Sequence, residues 1–176
     1  DQVDVVNHLT GQAVPEKRNM LVEAARIARG SIVSLSTIKA RDFDAIVIPG
    51  GFGSAKNLHT YASDGRNAKV HPEVASVVRE FHAAGKPIGA ICISPVLIAR
   101  IFRDVPDAKP SLTIGTDEGT AADIRAFGAE HVSCPVRDFV VDKKNRIVRT
   151  PAYLLGKGPA AIYHGIIDNL STTRDV

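Results

Sequence analysis

The chain has 176 residues and a mass of 18.8 kDa, which at roughly 150 residues per domain fits one domain spanning residues 1–176. Its 44% hydrophobic and 23% charged residues sit near the globular average and exclude disorder, collagen-like repeats and a coiled-coil rod, and no apolar run approaches the ~18 residues that cross a bilayer. The net charge of +3 comes from 22 Lys and Arg scattered among 19 acids, with aromatics at only 5%, so the stripe that a nucleic-acid partner requires is missing.

Two cysteines, Cys92 and Cys134, are too few for a disulfide-stapled scaffold and fit a reducing compartment. The opening Asp1-Gln2-Val3-Asp4-Val5-Val6 carries neither an initiator Met nor the basic and apolar regions of a signal peptide.

In chain order, Asn19 to Arg29 predicts a helix with Leu21, Ala24, Ala25 and Ala28 on one side and Gly30 as its stop. Asp44 to Ile48 is an apolar run ending at Pro49-Gly50-Gly51, and Pro87 to Cys92 is another. Runs apolar on both faces predict central strands of a parallel sheet covered by helices. Glu73 to Ala84 between them is a helix closed by Gly85, with Val74, Val77, Val78 and Phe81 together. Leu112 to Ile114 is a third strand candidate, and Thr120 to Phe127 and Pro159 to Leu170 are further helices. Phe139 to Val141 and Arg146 to Thr150 read as a β-hairpin around a solvated loop, Asp142 to Asn145. The architecture is α/β: a three-layer α/β/α sandwich with a mainly parallel central sheet, flavodoxin-like, and a small antiparallel hairpin near the C-terminal third.

The feature that bears most on chemistry is Gly89-Ala90-Ile91-Cys92-Ile93-Ser94-Pro95. The apolar strand stops at Cys92, and Pro95 suits the first turn of a helix. Cys92 therefore falls in a sharp strand-to-helix turn, the geometry of a nucleophile elbow, where a helix N-terminus favours a thiolate. The alternative is a free cysteine acting as a small buried hydrophobe.

Pro49-Gly50-Gly51-Phe52-Gly53 follows the preceding strand, and adjacent strands of an open sheet deliver their C-terminal ends to one crevice. The N–H groups of Gly50, Gly51 and Ile93 are thus candidate donors to an oxyanion near the Cys92 sulfur. The segment has neither Gly-Lys-Ser/Thr nor a Gly-x-Gly-x-x-Gly run opening a helix, which leaves nucleotide binding weak. None of the six histidines falls in a zinc motif, so neither metal nor cofactor is expected. His131, near Cys134, is the second residue to test, with a structural role favoured.

The segments Ile48 to Leu58, Ala84 to Gly89 and Cys92 to Pro95 resemble the ElbB/ES-one branch of the DJ-one/PfpI superfamily, which has a class I glutamine amidotransferase-like fold. Asn7 to Gly11, Glu23 to Gly30, Leu112 to Asp117 and Thr150 to Tyr153 extend the likeness over nearly the whole chain. The branch includes bacterial proteins described as glyoxalases, which convert glyoxal-type dicarbonyls to hydroxy acids without glutathione, and eukaryotic mitochondrial proteins with no settled activity.

The resemblance implies Cys92 as nucleophile, Gly50 and Gly51 as backbone donors, a small carbonyl substrate such as glyoxal, and a homodimer. It also implies a first βα unit ahead of Asp1 that carries an acidic partner for the cysteine. Relatives place a histidine directly after the cysteine, after the next strand, or after a late strand. Here those places read Ile93, Thr116-Asp117 and Thr150-Pro151-Ala152-Tyr153, so no Cys-His-acid triad is assembled by motif. The other expectations are a non-catalytic subunit of a larger protein assembly and a cysteine redox sensor. The compartment implied is mitochondrial for a eukaryotic source and cytoplasmic for a bacterial one.

Overall fold

The structure, a computed structural model, describes residues 2–155 and 158–176. By compactness they fall into two units, Asp1–Ile38 and Lys39–Val176. In the first unit β1 (Gln2–Asn7) and β2 (Gln12–Asn19) pair antiparallel, with a register shift between Asp4 and Val5, and α1 (Met20–Ile27) follows. The helix starts where sequence predicts, because the Asn19 side chain accepts a hydrogen bond from the Val22 N–H at 3.1 Å. The hairpin has no counterpart among the predicted elements. Its β2 sequence, Gln-Ala-Val-Pro-Glu-Lys-Arg-Asn, carries little apolar alternation.

The second unit is built on a four-stranded sheet in the order β3 (Ile46–Ile48), β4 (Ile88–Ile91), β8 (Ile147–Thr150), β7 (Val140–Asp142). The first three run parallel, and β7 is antiparallel to β8. Every residue of β4 and β8 is buried, as strands covered on both faces must be. Helices α3 (Pro72–Ala83) and α4 (Ser94–Phe102) pack on β4. Helix α6 (Pro159–Asp175) lies over the face carrying Gly89, where a Cβ on that glycine would stand 3.0 Å from Thr173 Oγ1. A short helix α2 (Tyr61–Asp64) precedes α3, and α5 (Glu118–Ala126) lies between β5 (Ser111–Leu112) and β6 (Glu130–His131), which pair parallel.

Three expectations change. The run Asp44 to Ile48 yields β3 at the end of the sheet row rather than a central strand, because apolarity on both faces reports that the faces are covered and says nothing about the edges. The predicted hairpin forms, but β8 also pairs with β4 and so becomes an interior strand of the main sheet. Its loop is only half solvated: Lys143 and Lys144 are exposed, whereas Asp142 and Asn145 are buried. The Asp142 carboxylate accepts hydrogen bonds from the Ser111 N–H, the Asn145 N–H and Asn145 Nδ2, which offset its desolvation and hold its pKa below the ordinary carboxylate value.

Candidate functional site

Strand β4 ends at Ile91, and Cys92 follows with φ 63°, a left-handed conformation uncommon for a residue with a side chain. The turn is held from both sides. The Cys92 N–H donates to the Thr150 carbonyl at 3.0 Å, and α4 begins two residues later with Pro95 in its first turn. This is the strand-to-helix elbow that the spacing predicts.

Gly50 closes against this turn. A Cβ on it would lie 2.7 Å from the Ile91 carbonyl oxygen, 2.8 Å from Cys92 Cβ and 2.9 Å from the Ile93 nitrogen, so any larger residue would push into the elbow. Gly51 takes φ 87°, which turns the backbone after β3. The buried Ser94 hydroxyl ties the two segments together by donating to the Pro49 carbonyl at 2.8 Å. Among the described residues the N–H groups of Gly50, Gly51 and Ile93 donate to no backbone carbonyl of the turns and loops. Ser94 was not singled out from sequence. A serine in the first turn of a helix reads as an ordinary cap, and its partner lies 45 residues away.

Cys92, Ile93 and Gly51 share the wall of a cavity of about 390 Å³, and Gly50 is not among its lining residues. The rest of the lining comes from three places. Phe52 and Ala55 follow the glycine turn, Tyr61 and Ala62 belong to α2, and Tyr153 and Leu154 belong to a 3-10 turn (Ala152–Leu154) after β8. The last segment brings the Tyr153 ring to the cavity. No Asp, Glu or His is among the described residues that line the cavity.

Tyr61 is the cavity residue with the most developed polar surroundings. Its hydroxyl donates to Asp123 Oδ2 at 2.7 Å, and Arg66 pairs with the other oxygen of the same carboxylate. Burial and the bond to Asp123 push the Tyr61 pKa up to about 12, so the ring stays a neutral phenol.

The remaining sequence candidates lie elsewhere. His131 pairs with Leu112 across β5 and β6, and its Nε2 accepts from the Ile114 N–H at 3.4 Å, a role in backbone satisfaction. Cys134 is buried, donates to the Pro135 carbonyl at 3.5 Å and has its thiol pushed up to about 11 by desolvation, which keeps it protonated. Thr116 and Asp117 stand at the start of α5, where Asp117 accepts from the Thr120 N–H. No group of three or more His, Cys, Asp or Glu suited to a metal occurs among the described residues, and no described helix is long and apolar enough to cross a membrane.

Comparison with known proteins adds to this geometry. The chain is 45% identical over 175 residues to the human glutamine amidotransferase-like class 1 domain-containing protein 3, mitochondrial, and 42% identical over 175 residues to the rat ES1 protein homolog, mitochondrial. Each alignment covers 94% of this chain, but the chain spans only 63% and 64% of the length of those relatives. A crystal structure of an isoprenoid biosynthesis protein with an amidotransferase-like domain from Ehrlichia chaffeensis superposes with a TM-score of 0.87 at 41% identity, covering 98% of this chain and 78% of that one. Residues 2–102, which include the glycine turn and the cysteine elbow, match the DJ-1/PfpI family, and the chain belongs to that family.

Proposed function

We propose that the chain acts through Cys92 as a glyoxalase-like enzyme that converts small dicarbonyls to hydroxy acids, glyoxal to glycolate, without glutathione. The observation that carries this reading is the Cys92 elbow at φ 63° on the wall of a cavity it shares with Gly51 and Ile93. In the proposed course the thiolate attacks an aldehyde carbon, and the developing oxyanion accepts from the N–H groups of Gly51 and Ile93, with Gly50 leaving room for that approach. The hydrogen on the attacked carbon moves to the neighbouring carbonyl carbon through an enediol, and water then cleaves the resulting thioester to release the hydroxy acid and the free thiol.

The test is glycolate formation by the full-length protein supplied with glyoxal. Cys92→Ala is expected to lower turnover by roughly 10³-fold or more. Equal turnover by the variant and the unaltered protein would overturn the assignment.

A second reading, a non-catalytic subunit of a larger assembly, draws on one specific observation: the described cavity wall offers no carboxylate or imidazole to move a proton. Gentle purification that yields only free protein would count against it. Homodimerisation is part of the first reading and is checked by sedimentation. A mitochondrial place, carried in the names of the human and rat relatives, is proposed for this chain if its source is eukaryotic, and a cytoplasmic one if it is bacterial.

A further inference from the structure

We propose that residues 60–69 form a lid beside Cys92 and that Asp123 is the positioning residue that keeps this lid closed, acting through Tyr61 and Arg66.

The neck of the lid is tied down by backbone. His59 and Val70 form an antiparallel bridge, the Thr60 N–H donates to the Lys69 carbonyl at 2.9 Å, and the His71 N–H donates to the Leu58 carbonyl at 2.9 Å. Ala68 completes that anchor, because it is buried and its carbonyl accepts from Arg100 Nε at 3.0 Å. A loop whose ends are pinched together in this way can move as a unit without disturbing the elements on either side.

The body of the lid has little of its own to hold it. Helix α2 is four residues long, well short of a helix that is stable in water, and Gly65 at φ 50° leads it into a 3-10 turn, Gly65–Asn67. None of residues 61–67 is buried, and the backbone hydrogen bonds they show stay within the lid.

The side-chain bonds that leave this stretch go to α5. The Tyr61 hydroxyl donates to Asp123 Oδ2 at 2.7 Å, Arg66 Nε donates to Asp123 Oδ1, and the Thr120 hydroxyl also meets that of Tyr61. One carboxylate therefore holds the lid at two points, by a phenol near the neck and by a guanidinium beyond α2. The hydrogen bond from Arg66 keeps the Asp123 carboxyl below its ordinary pKa, so both contacts are made to a charged acceptor, which strengthens them. Tyr61 and Ala62 stand on the cavity wall with Cys92, so loss of the Asp123 contacts frees that wall while the neck stays fixed.

Hydrogen exchange of the full-length protein tests the latch. In Asp123→Ala, residues 61–67 are expected to exchange at least about tenfold faster, with α3 and β4 unchanged, and Tyr61→Phe, which keeps the ring and the Arg66 pair, is expected to give a smaller increase. Alkylation of Cys92 by iodoacetamide, located by peptide mass, is expected to run at least about threefold faster in Asp123→Ala. A kinetic arm rests on the carbonyl reading: Asp123→Ala is expected to raise KM for glyoxal more than it lowers kcat.

Unchanged exchange in residues 61–67 overturns the latch. Faster exchange in α3 and β4 as well overturns it too, by making Asp123 a general support of the fold. Faster exchange confined to residues 61–67 with an unchanged alkylation rate overturns the lid over Cys92, and a fall in kcat at constant KM overturns the positioning role. Absence of Cys92-dependent turnover in the unaltered protein rejects the carbonyl reading alone, and exchange and alkylation then decide the lid.

Discussion

Cys92 shows how much a single backbone angle contributes to the site. At φ 63° the residue is held in a conformation that costs of order 1–3 kcal/mol for a side-chain-bearing residue, and the surroundings over-determine it. Its N–H is bonded to Thr150, and Ser94 anchors the following turn to Pro49. Gly50 is the complementary residue, because its missing Cβ is the space the elbow occupies. Gly50→Ala is expected to displace Cys92 and Ile93, lowering the proposed carbonyl turnover by roughly 10²-fold and stability by about 1–3 kcal/mol. Steady-state kinetics and urea unfolding would check both. A fully active, equally stable variant would show that the glycine is not needed there.

Helix boundaries follow from side chains that answer the free N–H groups of a first turn. The sequence reading starts α5 at Thr120, and the helix begins two residues earlier, at Glu118, because Asp117 caps it through the Thr120 N–H at 2.8 Å. That hydrogen bond also holds the Asp117 carboxyl below its ordinary pKa. Asp117→Ala is expected to cost about 1 kcal/mol, a fall of roughly 2–4 °C in Tm for a chain of this size, visible by calorimetry. An unchanged Tm would assign the helix start to packing instead. Helix α6 runs on to Asp175, past the Leu170 at which apolar periodicity stops, because its interior face is carried by small and polar residues. Asn169 and Thr173 are buried, and Gly165 lets the helix come close to the Val136 carbonyl and Thr150 Oγ1, contacts that hydropathy does not register. Arg149 is the opposite surprise, a charged residue on β8 at 0% exposure. Its Nη1 donates to the Ile147 carbonyl, and burial lowers its pKa to about 10.

At the scale of the whole molecule, acid should weaken the fold through His59, which is 2% exposed with no hydrogen-bond partner at Nε2 among the described residues. Burial lowers its pKa from 6.5 to about 4. The unfolded chain therefore binds a proton that the folded one refuses between those values. Stability from this group is complete above pH 6.5 and declines as pH falls towards 4, by about 3 kcal/mol. His131, also lowered mainly by burial, acts in the same direction. Calorimetry of the unaltered protein and His59→Leu at pH 7 and pH 4.5 is expected to show a smaller drop in Tm for the variant. Equal drops would remove His59 from the account.

The α/β class and the turn that holds Cys92 beside its glycines were legible because they rest on local patterns: apolar runs, glycine and proline punctuation, and a cysteine between a strand and a helix. Which strand ends the sheet, which charged residues are buried and what lines the cavity were decided only by the tertiary structure. Phe52, Tyr61 and Tyr153 are separated by up to about a hundred residues in sequence and meet only because three strand ends and α2 converge. Side-chain chemistry at one position names a candidate nucleophile, whereas the space around it is a property of distant segments brought together by burial.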